Sequence, residues 1–266
     1  MSTGEAGPAR RSRRSLLAFA GIAAVGVAAW LGLQRALAPS PAAFRFEPLA
    51  EPKGFRSLAG GNVTVGPSPL FGLGGGNGEA VSPEVLAWAR ARPCDALFGT
   101  STIPDGVVPI AVFTDFLCPY CRVQTQSLAE LEERSAGTLR VVWHEWPILG
   151  DASVDAAKAA LAAKRQGAYV AFHATLMGSA FLPTPAQLQR VALDVGIDPA
   201  TMLADLDGPA VAGELERTEA VADLFRFVGT PAMVVGRTVV QGAIDDRELR
   251  ALIERERQDG PIPACS

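Results

Sequence analysis

The stretch FTDFLCPYCR, Phe113 to Arg122, places two cysteines three apart directly after an apolar run. Val108-Pro109-Ile110-Ala111-Val112-Phe113 reads as a buried strand, and residues 121–134 read as a helix with Leu128 and Leu131 on its apolar side. Cys118 and Cys121 therefore fall where a strand gives way to a helix. Cysteines at i and i+3 on a first helical turn share one face, close enough to form a disulfide. A sulfur at the helix start meets unpaired N–H groups and the positive end of the helix dipole, which favour thiolate over thiol. Pro119 suits the first helical position because it has no N–H to leave unpaired, and Arg122 adds positive charge nearby. Cys121, one turn further in, is expected to be more buried and less acidic.

Two other readings of the pair stay open at this point. A zinc site would need two more ligands in range, as a second CxxC or a paired histidine, and His144 and His173 are far apart in sequence. A purely structural bridge across so tight a loop would constrain the unfolded chain little. The redox reading is the favoured one.

Outward from this stretch, the N-terminus bears on where the chain resides. Arg10, Arg11, Arg13, Arg14 and Arg35 face only Glu5 up to residue 38, although the whole chain carries a net charge of -4. The body is thus acidic, which argues against nucleic acid as a partner. Between these arginines, Leu16–Leu33 is uncharged and near the roughly 20 residues that cross a bilayer as a helix. The arginines before it should stay cytoplasmic, so the body is placed outside. Ala36-Leu37-Ala38 resembles a cleavage site but is followed by Pro39; an uncleaved anchor is favoured over a cleaved signal. Export would allow disulfides among the four cysteines, Cys94, Cys118, Cys121 and Cys265.

Residues 39–100 read as a Pro/Gly-rich linker and N-terminal extension. Pro39, Pro41, Pro48 and Pro52 suggest an extended spacer, and Gly72–Gly78 a flexible turn with no dinucleotide-binding register. Ser82-Pro83 looks like a helix start leading to Cys94. The main domain, 101–266, continues after the central strand and helix with a second strand at Leu139–Trp146. A helical block follows at about 152–227, broken at Pro183, Pro185 and Asp198-Pro199 into three or more helices. Two short strands, Ala232–Val235 and Thr238–Val240, are joined at Gly236-Arg237, and a last helix covers about Asp245–Arg257. The fold class is α/β.

Val228-Gly229-Thr230-Pro231-Ala232, ahead of the hairpin, is compatible with a cis X–Pro bond. Taken with VFTDFLCPYC, EWPILG, Ser153, Ala156-Ala157, Gln166–Tyr169, Phe172-His173, VGTPAMVVG and Gln241–Ala243, it makes residues 107–253 resemble the DsbA-like branch of the thioredoxin superfamily. The resemblance implies a thioredoxin-like fold with a helical insertion, behind an N-terminal membrane helix or signal and the Pro/Gly-rich extension. It implies that Cys118 is the exposed nucleophile, Cys121 the resolving thiol, and cis-Pro231 their neighbour. Thr230 would offer its backbone to an extended substrate, with Pro119 and Tyr120 also contacting it. No cofactor is implied beyond the Cys118–Cys121 disulfide, and no metal. The implied activity is that of a periplasmic protein disulfide oxidoreductase acting on cysteine-containing exported clients and reset by a DsbB-like membrane oxidase. VFTD and GTPA are also similar to the DsbC/DsbG isomerases, so a reduced isomerase or reductase is the alternative; a redox-inert anchored binding protein is a further one. Tyr120 stands where prototype oxidases carry histidine, and Val112 where relatives bury an acid. Cys94 and Cys265 border the core domain and are expected to pair as a structural disulfide.

Overall fold

The computed structural model describes residues 44–58, 62–66, 81–179 and 183–265. The anchor or signal expected within residues 1–38 and the glycine run at 72–78 lie outside the described residues. Among the described residues no helix is long and apolar enough to cross a membrane.

The central strand β3 (Val108–Thr114) is buried along its whole length, as its continuous apolar run requires. Its alternate side chains feed two cores: Ala111 and Phe113 point into one, Ile110 and Val112 into the other. On one side β3 pairs in parallel with β4 (Leu139–Glu145), on the other antiparallel with β5 (Ala232–Val235), which turns at Gly236 into β6 (Thr238–Gln241). Two earlier strands complete the six-stranded sheet: β2 (Arg56–Leu58) lies parallel to β6, and β1 (Phe46–Pro48) antiparallel to β2.

β1 corrects the reading of residues 39–52 as a spacer. Prolines argue against a central strand, but β1 is the edge of the sheet, where the missing N–H costs nothing. Beside it, Arg56 stacks over the Phe46 ring and bonds to Glu256 (2.5 Å), Asp259 (2.7 Å) and Thr238 (2.7 Å). Glu256 also accepts from the Thr238 hydroxyl (2.6 Å) and the Arg237 backbone N–H (2.9 Å).

Helix starts follow their caps. Ser82, Cys118, Thr184 and Asp198 each precede a proline and cap α1 (Pro83–Ala91), α3 (Pro119–Arg134), α6 (Pro185–Asp194) and α7 (Pro199–Asp205). The short α2 (Pro93–Phe98) carries Cys94, which is disulfide-bonded to Cys265 in the C-terminal turn. The block between β4 and β5 holds α4 (Asp151–Arg165), α5 (Tyr169–Gly178), α6, α7 and α8 (Pro209–Phe225). The alanine face of α4, with Phe172, Leu176, Met202 and Leu215, forms a third core that also contains Phe116, Cys118 and Cys121. α1, α2 and α8 cover one face of the sheet, and α3 and α9 (Asp246–Asp259) the other.

Candidate active site

β3 ends at Thr114, and the chain turns through Asp115, Phe116 and Leu117 into Cys118. Asp115 is buried, and its carboxylate gathers the surroundings of the turn. It accepts from the backbone N–H groups of Leu117 (2.8 Å), Ile148 (2.8 Å) and Leu149 (3.0 Å) and from the Ser153 hydroxyl (2.5 Å). Burial raises the Asp115 pKa against these bonds, which lower it. Asp115 thereby ties β3 to the loop after β4 and to the start of α4.

Cys118 is the N-cap of α3, its sulfur accepting from the Cys121 backbone N–H at 3.3 Å. An anion there meets the donors that a helix start leaves unpaired. The Cys118 pKa is lowered from 9.0 to about 6. The hydrogen bond from the Cys121 thiol is the largest cause; burial opposes it, and contacts with Thr64 and Thr230 add to the lowering. Cys121 moves the other way, well above its ordinary value, through burial and then through its hydrogen bond and charge interaction with Cys118. Both thiols are free.

The Thr230–Pro231 peptide bond is cis, and the Thr230 carbonyl oxygen lies 3.4 Å from the Cys118 sulfur. Cys118, Cys121, Thr230 and Pro231, separated by about a hundred residues of sequence, thus meet at one place. Pro119 and Tyr120, between the cysteines, are exposed. Arg122 does not point at the sulfur; its guanidinium donates to the carbonyls of Phe116 (3.0 Å) and Met177 (3.4 Å).

One expectation is overturned. Cys118 is not exposed but 0 % accessible. Thr64, from the extension, lies over it with Oγ1 3.4 Å from the sulfur. Sequence reading passed over this residue, although the β-branched run Val63-Thr64-Val65 is a signal for extended backbone. The two histidines, far apart in sequence, each find a partner. His173 meets Glu145 (Nδ1 to Oε1, 2.8 Å), which also accepts from the Tyr169 hydroxyl (2.7 Å), and the ring packs by Phe116. Tyr169 and His173, four apart on α5, were the available hint. His144 stacks on Phe113 and contacts the Leu97 carbonyl oxygen at 2.8 Å. Among the described residues, no three His, Cys, Asp or Glu side chains cluster as metal ligands would.

Residues 109–254 match the DSBA-like thioredoxin domain, which is more than half of the chain. The chain belongs to that family. Among solved structures it is similar to a thioredoxin-like oxidoreductase from Silicibacter pomeroyi DSS-3, at 36% identity over 62% of this chain and 97% of that one, with a TM-score of 0.57. The thiol-disulfide exchange protein α-DsbA2 from Wolbachia pipientis shares the fold at 21% identity, over 65% of this chain and 94% of that one, with a TM-score of 0.54. A curated relative, the Na(+)/H(+) antiporter NhaA of Herminiimonas arsenicoxydans, is 29% identical over 154 residues, 58% of this chain. The chain spans about a quarter (25%) of that relative's length.

Proposed function

We propose that the protein is an exported thiol:disulfide oxidoreductase that introduces disulfides into folding polypeptides through Cys118 and Cys121. A client thiolate attacks the Cys118 sulfur of the Cys118–Cys121 disulfide, and Cys121 leaves as a thiolate that takes up a proton. A second client thiolate then attacks the client sulfur of the mixed disulfide, and Cys118 leaves. Two electrons pass from the client dithiol to the pair, and a DsbB-like, quinone-linked membrane oxidase would remove them. The body would work on the periplasmic side of the inner membrane, with residues 1–38 as its anchor or signal. Pro119 and Tyr120 would border the bound client, with Thr230 and Pro231 opposite.

What supports the oxidising direction is the place of the Cys118 sulfur at the N-cap of α3, where it accepts from the Cys121 N–H at 3.3 Å, an arrangement that favours the thiolate and lowers the pKa to about 6. A stabilised thiolate is a good leaving group and stabilises the reduced pair, which makes the disulfide the stronger oxidant. An isomerase or reductase is the reading to be separated from this one. Acid quench and alkylation of the cellular protein would read the resting state of Cys118 and Cys121. A mostly oxidised pair is expected, together with loss of peptide-thiol oxidation in Cys118→Ser down to the uncatalysed rate. A mostly reduced pair would overturn the oxidising direction in favour of the isomerase or reductase.

A further inference from the structure

Asn62–Gly66 belongs to the N-terminal extension, yet it runs across the open end of the β5–β6 hairpin. Asn62 bridges Ala243 and Thr64 bridges Thr230, both antiparallel. The Ala243 N–H donates to the Asn62 carbonyl at 3.0 Å. Thr64 and Thr230 exchange both of their main-chain bonds, Thr64 N–H to Thr230 carbonyl at 2.7 Å and Thr230 N–H to Thr64 carbonyl at 2.9 Å. This is the hydrogen-bonded pair of an antiparallel ladder, and it is how an extended peptide adds itself to a free stretch of sheet. The approach is close enough to need a glycine opposite. A Cβ placed on Gly229 would sit 2.5 Å from the Thr64 carbonyl oxygen. The Thr64 hydroxyl thereby lies 3.4 Å from the sulfur of the fully buried Cys118.

We propose that Asn62–Gly66 is a self-ligand that occupies the client's groove and must leave before a client sulfur can reach Cys118. This rests on Cys118 being the exchange nucleophile. The main-chain groups of Thr230 can serve one partner at a time, so segment and client exclude each other. The segment also describes the client it displaces: an extended polypeptide with its cysteine at the position of Thr64, its sulfur replacing a hydroxyl oxygen of similar reach. Neighbouring client residues would meet the exposed apolar side chain of Val228 on the rim. Because only the open fraction can bind, occupancy lowers apparent client affinity by that fraction.

The test reads access to Cys118 and not turnover, so it can fail while the exchange activity stands, and the reverse. In the reduced full chain, alkylation of Cys118 by iodoacetamide is followed by peptide mass mapping across a pH series. Thr64→Pro removes the N–H that binds the Thr230 carbonyl. The rate on the high-pH plateau, where Cys118 is all thiolate, should rise about tenfold if the groove is otherwise open roughly a tenth of the time. The plateau separates access from any change in the titration midpoint caused by losing the Thr64 hydroxyl. An unchanged plateau overturns the proposal. As a second variant, Thr64→Cys in a Cys121→Ser background is treated with diamide, which accepts two protons and two electrons from the two thiols. A rapid, concentration-independent disulfide between the introduced cysteine and Cys118 is expected. Disulfide-linked dimers alone, or no bridge, would show that the segment does not rest on the sulfur.

Discussion

Arg56 and Thr64 lie a few residues apart in the chain, and the sheet holds them by different means. Arg56 is in a regular parallel ladder with β6, and its guanidinium enters a polar cluster closed by Glu256, Asp259 and Thr238. Thr64 is held by a single bridge to Thr230 and one side-chain contact to Cys118. The first attachment adds to its ladder a set of side-chain bonds that no passing polypeptide could copy. The second is made almost wholly of backbone groups that every polypeptide has. One piece of chain therefore serves as a fixed part of the sheet at one end and as an exchangeable occupant at the other. The Cys94–Cys265 bridge, which ties α2 to the C-terminal turn, belongs to the fixed half.

The largest expected effect breaks the fixed half alone. Glu256 is buried and answers Arg56, Thr238 and the Arg237 backbone together. Glu256→Ala takes the acceptor from the Thr238 hydroxyl and the Arg237 N–H and leaves Arg56 with Asp259 alone, a loss of about 3 kcal/mol. The denaturant midpoint should fall accordingly while the alkylation plateau of Cys118 stays as it was. A rise in that plateau would mean that the two attachments are one unit.

The next prediction concerns the sulfur that Thr64 covers. An unfolded thiol near 9.0 keeps its proton across the interval in which folded Cys118, at about 6, has released it. The reduced protein should therefore gain stability as pH rises from 6 toward 9 and lose it as pH falls back through 6. Raised Cys121 adds an opposing effect only near and above 9. Between pH 6.5 and 8.5 the slope of unfolding free energy, compared with Cys118→Ala, should approach about 1.4 kcal/mol per pH unit. Parallel lines for the two proteins would show that Cys118 is an ordinary thiol.

What the sequence disclosed follows the same division between local and distant causes. β3, the hairpin around Gly236 and the cap-proline helix starts are written in neighbouring residues, so run length, β-branching and caps reveal them. The CPYC and GTPA elements are likewise local patterns, and the fold brings them together at the Cys118 sulfur. Residues 46–58 were not, because a strand of three residues containing proline has no signal apart from the sheet that receives it. Asp115, Glu145 and His173 become informative only when the fold brings them to Ile148, Tyr169 and Phe116. The burial of Cys118 was hidden for the same reason: its cover comes from a segment some fifty positions upstream.

Gly229 gives the smallest effect on stability and the sharpest on the comparison. Its backbone is not in the left-handed region that only glycine favours, so an added methyl brings no conformational strain of its own. The nearest atoms such a methyl would meet belong to Thr64 and Val65. Gly229→Ala should change unfolding free energy by less than about 1 kcal/mol, because it disturbs one bridge at the rim of the sheet. Yet the methyl must push Asn62–Gly66 off Thr230, so iodoacetamide should reach Cys118 faster. A client that pairs with Thr230 would bring its own carbonyl to the same place and meet the same methyl. Oxidation of a reduced cysteine-containing peptide should therefore slow in the variant whose Cys118 is most accessible. If both rates rose together, the client would have to approach Cys118 by a path that avoids Thr230, and the segment would be a cover rather than a competitor.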